Sequence, residues 1–292
     1  MAPQRVQAKG VTPPLGLPGP TLGSAPGSPG RSSNLRSPMS AQPILRLRGV
    51  SKRFGGVTAL DAVDTEVVTG TITSLIGPNG AGKTTVFNIV TGALRADAGS
   101  VSFDGQEISR MAGFEIARRG VARTFQNLRP FPTMNVLENV LVSSLYRGSF
   151  NLALAMLPLF REALAMQNAR AESEALLKLT QLYERRFDTP VELPYGSQRR
   201  LEIARGLALQ PRLLLLDEPF SGMTPTEAAD LASLLLRLKA DGLTLFLIEH
   251  NMNVVMDVSD HIVVLNFGRK IAEGPPRDIQ RDPRVKEAYL GE

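Results

Sequence analysis

The stretch TITSLIGPNGAGKTT, residues 71–85, decides the fold. Residues 71–76 are mostly β-branched and apolar and predict a short strand, and the pattern from Lys83 through Val90 predicts a helix. The loop between them matches G-x-x-x-x-G-K-T, which is typical of a phosphate-binding loop between a strand and a helix. Its glycines let successive backbone N–H groups point at phosphate oxygens, and the positive end of the helix dipole points to the same place. A chance glycine-rich turn is the alternative, and the flanking strand and helix argue against it.

Two side chains of this loop have specific expected roles toward a nucleoside triphosphate. Lys83 can reach the β and γ phosphates, and Thr84 offers a hydroxyl to Mg²⁺. The residues predicted to bind the nucleotide here are Gly77, Pro78, Asn79, Gly80, Ala81, Gly82, Lys83, Thr84 and Thr85.

A second apolar strand, LLLLDEP at residues 213–219, ends in two adjacent carboxylates. We expect Asp217 to hold Mg²⁺ through its water shell and Glu218 to polarise the attacking water as a general base. Acidic residues at a strand end also serve as helix caps or solvated loop charges, so this assignment depends on its combination with the phosphate-binding loop.

The two histidines of the chain receive different interpretations. His250 directly follows the buried stretch LFLIE, at a carboxyl end where open α/β sheets bind ligands, and we expect it to hydrogen-bond the γ phosphate or the water. His261 is interpreted as an ordinary surface or packed residue.

The wider pattern predicts an α/β fold. Strands are expected at residues 44–50, 59–67, 71–76, 100–103, 213–216, 244–248 and 261–265. The strands from Leu213 and Thr244 are almost wholly apolar, as in a sheet covered on both faces, and they alternate with helices such as residues 225–240. We therefore predict a mostly parallel sheet, an antiparallel N-terminal β portion and, from about 133 to 186, an inserted helical subdomain.

The first 40 residues differ from the rest in composition. They contain 8 of the 21 prolines and 6 of the 26 glycines, without a periodic apolar pattern, so we expect a disordered tail. A targeting peptide is the alternative, although no apolar stretch like that of a secretory signal is present. Met39, just before the first predicted strand, suggests the further hypothesis that translation begins there.

Charge and composition exclude several classes of function. The tail has four basic and no acidic residues and thus accounts for most of the formal net charge of +5, which leaves 29 basic and 28 acidic residues in the body. A nearly neutral body does not favour a nucleic-acid binder. The absence of cysteine excludes a disulfide framework and a thiolate metal site. The longest apolar run, residues 152–160, is far shorter than the roughly 20 residues needed to span a bilayer.

The order of these motifs resembles that of the ATP-binding cassette (ABC) ATPases, over residues 44–292. The resemblance implies that Gln126 in RTFQN contacts Mg²⁺ or water near the membrane subunit, and that Phe54 in SKRFGG stacks on adenine. A core position is the alternative for Phe54. The stretch SGMTP, residues 221–225, takes the place of the D-loop, which would contact the partner subunit across a dimer.

The family signature LSGGQ corresponds here to LPYGSQ, residues 193–198. The resemblance implies that Gly196, Ser197 and Gln198 bind the γ phosphate held by the opposite subunit, at a helix start. Pro194 occupies the usual serine position and offers neither a hydroxyl nor an N–H, so Ser197 is expected to compensate. The following Arg199 and Arg200 are either substrate-directed or part of a solvated helix face, and the solvated face explains them at least as well.

Several stretches are similar to one branch of the cassettes, the ATPases of high-affinity branched-chain amino acid importers. They are residues 120–142, the extra helical segment near 151–166, LIEHNM at 247–252, VVLNFGRKIAEG at 263–274 and the ending VKEAYLGE. The resemblance implies three parts: a tail at 1–42, an ABC ATPase domain at 43–272 with a helical subdomain at about 127–205, and an importer-type extension at 273–292.

The implied protein binds and hydrolyses ATP with Mg²⁺ and energises an importer, with branched-chain amino acids as the expected solute. It would lie peripherally on the cytoplasmic face of the cell membrane. Its expected partners are integral membrane permease subunits, an identical or a second ABC ATPase in an ATP-sandwiched dimer and, indirectly, a solute-binding protein; no nucleic acid is expected.

Other functions remain open from the sequence. The nearest alternative is a related importer for urea, amides or another polar solute. A soluble cassette ATPase that acts on ribosomes or DNA is disfavoured by the single phosphate-binding loop and the lack of a heptad run. The motif residues Lys83, Asp217, Glu218 and His250 argue against a non-catalytic regulatory subunit.

Overall fold

A six-stranded sheet forms the centre of the chain in the computed structural model, which describes residues 42–124, 130–147 and 160–290. Its strands, in spatial order, are β10 (Arg269–Gly274), β9 (His261–Asn266), β3 (Ile72–Ile76), β8 (Thr244–Ile248), β7 (Leu213–Asp217) and β6 (Val121–Arg123). All neighbours are parallel except β9 and β10. Every residue of β3, β7 and β8 is buried, because both faces of the sheet are covered. The predicted fold class is therefore confirmed.

A second sheet is antiparallel and comes mainly from the N-terminal part of the described chain. Its order is β2 (Val57–Val68), β1 (Pro43–Phe54), β4 (Ala98–Phe103) and β5 (Gln106–Glu107). This sheet is the predicted antiparallel β portion.

The helices fill the space around and beside the sheets. They are α1 (Lys83–Val90), α2 (Gly113–Arg118), α3 (Val136–Arg147), α4 (Phe160–Leu179), α5 (Tyr195–Ala208), α6 (Pro225–Ala240), α7 (Met252–Val258), α8 (Pro276–Arg281) and α9 (Pro283–Leu290), with 3-10 turns at Tyr183–Arg185 and Pro190–Glu192. Helix α6 has the bounds that its pattern predicts, because Thr224 and Glu227 form a capping box and Pro225 occupies the first turn. Among the described residues, no helix has the length and apolar character needed to cross a bilayer.

The core follows from the alternation of side chains along the parallel strands. In β7, Leu213 and Leu215 pack with the antiparallel sheet and α1, while Leu214 and Leu216 pack with α5 and α6. Residues from α3, α4 and α5 form a separate apolar cluster that contains Val136, Leu177 and Leu201. Helices α3 and α4 thus stand in the region for which the composition predicts a helical insertion.

The pattern missed three strands, β5, β6 and β10. Strands β5 and β6 have only two and three residues, and β10 is rich in charged side chains, so none shows an apolar alternation of useful length. The expected tail and the expected helical residues 151–159 lie outside the described residues.

Candidate functional site

The loop between β3 and α1 has a backbone that only glycine can adopt at two positions. Gly77 has φ +150°, and a Cβ there would lie 2.1 Å from the carbonyl oxygen of Leu265. Gly82 has φ +102°, and its Cβ would lie 2.5 Å from the carbonyl oxygen of Ala59. No side chain caps the start of α1, and its first turn contains no acidic residue. The first N–H groups of the helix are therefore free to donate hydrogen bonds to a bound anion.

Lys83 stands at the first position of α1 with its side chain turned back over the loop. Its Nζ donates hydrogen bonds to the carbonyl oxygens of Gly77 at 2.6 Å and Pro78 at 2.9 Å. Burial lowers the pKa of Lys83, and the negative charges of Glu218 and Asp217 oppose that shift. The lysine, the loop and the two carboxylates thus lie within electrostatic reach of one another.

Asp217 is buried and forms an ion pair that sequence reasoning missed. Nη2 of Arg123 lies 2.7 Å from Oδ2 of Asp217, and Nη1 donates to Oδ1 of Asn88 at 2.6 Å. The guanidinium carbon also lies 5.5 Å from the ring centre of Phe87. Arg123 therefore joins the end of β6 to the acidic strand and to α1. In the sequence, Arg123 begins the stretch RTFQN, which also contains Gln126, and this position was the available signal. Gln126 itself lies outside the described residues.

Glu218 and His250 meet where β7 and β8 end. The N–H of Glu218 donates to the carbonyl oxygen of Ile248 at 2.9 Å, and the residue has a positive φ of 48°. Its Oε1 lies 3.9 Å from Nδ1 of His250, which is too long for a direct hydrogen bond. The sheet therefore brings together the two side chains to which the sequence assigned the catalytic roles.

Glu249, which the sequence analysis passed over, fixes the loops around them. Its side chain is 1% exposed, and its carboxylate accepts the N–H groups of Phe220 at 3.0 Å, His250 at 2.9 Å and Asn251 at 3.3 Å. One buried carboxylate thereby connects the loop after β7 with the loop after β8. The signal in the sequence was an acidic residue at the end of an apolar strand, next to the histidine.

Of the other residues predicted to bind the nucleotide, Phe54, Thr84 and Thr85 are at least partly accessible, whereas Ala81 is buried. Phe54 ends β1 and is 47% exposed, with Nζ of Lys52 5.6 Å from its ring centre, so the alternative of a core aromatic is wrong. Thr84 is exposed and Thr85 is half-buried. His261 begins β9 and is half-buried, as its interpretation as an ordinary residue allows.

The signature stretch begins α5, with Pro194 at the N-cap position and no side-chain cap. A Cβ on Gly196 would lie 2.6 Å from Oε1 of Glu227, so the helix start packs closely on α6. The Nε2 of Gln198 donates to the carbonyl oxygen of Leu193 at 2.9 Å, and Ser197 is half-buried. Gln198 thus stabilises the turn into the helix.

Tyr195 and Arg199 require a correction to the sequence analysis. Arg199 is 5% exposed: it donates to the Tyr195 hydroxyl at 2.8 Å and pairs with Glu202 at 3.3 Å. The expectation of a solvated face is therefore wrong for Arg199, because its own helix supplies the phenol and the carboxylate. Arg200 pairs with Asp230 of α6 at 3.3 Å.

Two of the side chains expected to hold Mg²⁺ are described, Thr84 and Asp217. Within the described ranges, no group of three or more His, Asp or Glu side chains is arranged to hold a metal. Mg²⁺ commonly keeps several waters and takes only one or two protein ligands besides phosphate oxygens. The hydroxyl and the carboxylate therefore fit a Mg²⁺ that arrives with a nucleotide.

A phosphate-binding loop, an acidic strand end and a histidine at the carboxyl edge of a parallel sheet define a P-loop nucleotide-binding protein. The chain belongs to the ABC transporter family, whose model matches residues 60–221. A second model, described as the branched-chain amino acid ATP-binding cassette transporter, matches residues 269–292.

Individual relatives agree with this assignment. The chain is 45% identical over 257 residues to the high-affinity branched-chain amino acid transport ATP-binding protein BraF of Pseudomonas aeruginosa, and the match covers 86% of this chain and 99% of that protein. A solved ATP-binding cassette of an ABC transporter in its ADP conformation is 35% identical, with a TM-score of 0.75 over 86% of this chain and all of that one. A cassette solved as a dimer bound to ADP and Pi in a post-hydrolysis state is 26% identical, with a TM-score of 0.68 over 80% of this chain and 99% of that one.

Proposed function

We propose that this chain binds and hydrolyses ATP and thereby energises an importer of branched-chain amino acids. The observation that carries the proposal is the convergence of Lys83 with Asp217 and Glu218 beside the uncapped start of α1. A cation and open N–H groups attract phosphates, and a carboxylate next to them can accept a proton from water.

The proposed roles follow from where the side chains stand. The loop N–H groups and Lys83 hold the phosphates, Phe54 stacks on adenine, and Glu218 orients and deprotonates the attacking water. His250 contacts the γ phosphate or that water from the neighbouring strand end. Mg²⁺, held by Thr84, Asp217 and Gln126, would neutralise charge on the phosphates.

A complete site requires two chains in this proposal. The start of α5, with Gly196, Ser197 and Gln198, would meet the γ phosphate bound to the loop of an opposite ATPase, either identical or a sister subunit. The similar cassette that was solved as a dimer with ADP and Pi supports this arrangement. Closure on ATP would move the helical subdomains and drive the permease subunits at the cytoplasmic face of the membrane.

The solute assignment rests on a different part of the chain. Residues 269–292 match the branched-chain amino acid cassette model, and BraF is named for that transport. The functional groups assigned in this proposal would act on a nucleotide, so the solute would contact the partner subunits and the solute-binding protein.

Uptake in the native host tests the proposal. A strain without this gene should lose high-affinity uptake of labelled leucine, isoleucine and valine, and the wild-type gene should restore it. A Glu218→Gln gene should not, although its product should be present at the same level. Loss of urea or amide uptake with normal leucine uptake would show that the solute is urea or an amide and not a branched-chain amino acid. Normal uptake of every tested solute in the deletion strain would contradict the transport function.

A further inference from the structure

The turn that presents Glu218 has a backbone conformation that residues other than glycine rarely adopt. Glu218 has a φ of 48°, in the left-handed region, where the Cβ of an L-residue is crowded. Pro219 follows it, and the N–H of Ser221 donates to the Glu218 carbonyl oxygen at 3.2 Å, which closes a four-residue turn. A conformation of this kind persists only where the surrounding structure holds it. The contacts that hold this turn therefore determine where the Glu218 side chain lies.

Two hydrogen bonds join this turn to the end of β8. The carbonyl oxygen of Ile248 accepts the N–H of Glu218 at 2.9 Å. Oε1 of Glu249 accepts the N–H of Phe220 at 3.0 Å. The first of these acceptors is backbone, and the second is a side chain. The turn is thus held on both sides of Pro219, and a substitution at Glu249 can remove one of its two anchors.

The second oxygen of the same carboxylate holds the loop that contains His250. Oε2 of Glu249 accepts the N–H groups of His250 at 2.9 Å and Asn251 at 3.3 Å. The imidazole Nδ1 of His250 lies 3.9 Å from Oε2 of Glu249 and 3.9 Å from Oε1 of Glu218. One oxygen therefore serves the loop after β7 and the other serves the loop after β8, so the carboxylate sets the spacing between Glu218 and His250.

The bridge requires a carboxylate in particular. Glu249 is 1% exposed, and its three N–H donors compensate a buried negative charge whose two oxygens both accept hydrogen bonds. A glutamine at this position would offer one acceptor oxygen and one NH₂ group that only donates. It could serve one of the two loops, and its NH₂ group would face the N–H of the other. A side chain that only filled space would not need two acceptor oxygens.

We propose that Glu249 is a positioning residue for ATP hydrolysis: its carboxylate fixes Glu218 and His250 relative to each other. The inference rests on the proposed function, since it assumes that these two side chains act on water and ATP. Glu249 acts through the two loops and not by contact with the substrate. The phosphate-binding residues 77–85 belong to a different segment, so loss of the bridge should slow the chemical step and leave ATP affinity unchanged.

The Glu249→Gln variant tests the proposal, because it keeps the size of the side chain and breaks the bridge. A displacement of about 1 Å at the reacting groups can cost roughly 10²-fold in rate, so kcat should fall by roughly 10- to 100-fold. The ATP dissociation constant, measured with fluorescent ATP, should stay the same. Glu107→Gln, at an exposed glutamate of β5, is the matched control and should change neither quantity.

A ¹H–¹⁵N NMR spectrum of the nucleotide-free protein gives a second measurement. An amide can serve only one of the two loops, so in Glu249→Gln the backbone amide resonance of Phe220 or the resonances of His250 should move. The chain has only two histidines, so His261→Gln assigns the imidazole signals, and those of His261 should not move in Glu249→Gln.

A kcat equal to that of Glu107→Gln would overturn the inference. Unmoved Phe220 and His250 resonances would also overturn it, and so would a loss of ATP affinity as large as the loss in kcat. A wild-type protein that binds ATP and never hydrolyses it contradicts the proposed function alone, because the resonances are measured without hydrolysis. If Glu249→Gln does not fold, Glu249→Asp replaces it: the charge remains, but the side chain is one methylene too short to reach both loops. Wild-type kcat in Glu249→Asp would then overturn the inference.

Discussion

Arg123 and Asp217 form a buried ion pair, with Nη2 of the arginine 2.7 Å from Oδ2 of the aspartate and side-chain exposures of 9% and 2%. The same guanidinium bonds Asn88 in α1 at 2.6 Å. The residue proposed to help hold Mg²⁺ is therefore fixed by a cation that also contacts the helix of the phosphate loop. Because Arg123 ends β6, this pair ties the end of that strand to the acidic strand β7.

Arg123→Gln should destabilise the fold and lower ATPase activity. Removing one partner of a buried ion pair leaves an uncompensated charge, which typically costs about 3 to 5 kcal/mol. Urea denaturation followed by circular dichroism measures this loss. Arg118→Gln, at an exposed arginine of α2, is the control and should change stability by less than about 0.5 kcal/mol. Equal stabilities of the two variants would show that the pair contributes nothing.

Glu218→Gln should bind ATP normally and hydrolyse it slowly. The amide keeps the size of the side chain and cannot accept the proton of the attacking water, so kcat should fall by roughly 10²- to 10⁴-fold. Phosphate release under steady-state conditions, together with fluorescent-ATP binding, checks both parts. The same change at the exposed Glu107 of β5 should leave kcat intact. Near-normal turnover of Glu218→Gln would assign the base to another residue.

Lys83→Ala should abolish ATP binding. The substitution removes the cation beside the open N–H groups and leaves the carboxylates of Asp217 and Glu218 to repel the phosphates. Isothermal titration with ATP and Mg²⁺ measures the effect. Lys178→Ala, at an exposed lysine of α4, should bind ATP like the wild-type protein. An unchanged affinity in Lys83→Ala would mean that this loop does not bind the nucleotide.

The sequence was sufficient for the phosphate loop and the central strands because their signals are local. We can recognise a glycine pattern between a strand and a helix without tertiary information. The same holds for apolar runs such as Leu213–Asp217. Strand β10 lacks such a signal, because its charged residues alternate poorly and its place depends on pairing with β9.

The missed parts of the site depend on contacts between distant segments. The role of Arg123 depends on the pairing of β6 with β7. The role of Glu249 depends on the contact between the loops after β7 and β8. Arg199 looked like a surface residue because nothing in the local pattern shows that Tyr195 and Glu202 enclose it.

Ser197→Ala should impair hydrolysis more than ATP binding. Pro194 offers no hydroxyl at the start of α5. The adjacent Tyr195 hydroxyl accepts from Arg199, so the half-buried Ser197 is the nearest serine hydroxyl that could replace it toward the opposite nucleotide. Its loss should lower kcat at saturating ATP, with the dissociation constant of the isolated chain unchanged. Ser233→Ala, at an exposed serine of α6, is the matched change away from the site. A kcat equal to that of Ser233→Ala would remove Ser197 from the mechanism.

Tyr289 should make the stability of the protein fall more steeply at alkaline pH. Burial raises the pKa of Tyr289 from 10.0 to about 12, although the Gly77 N–H opposes the shift. Below pH 10 the tyrosine is neutral in both the folded and the unfolded chain, and its stabilising contribution is fully present. Between pH 10 and 12 the unfolded chain loses this proton while the folded one keeps it, so the free energy of unfolding declines.

Urea unfolding of the wild-type protein and of Tyr289→Phe, at half-unit steps from pH 8.5 to 11.5, isolates this contribution because all other groups titrate in both proteins. The stability difference between them should be constant up to about pH 10 and then shrink as the pH rises. Parallel curves over the whole range would show that the Tyr289 phenol is no less solvated in the folded chain than in the unfolded one.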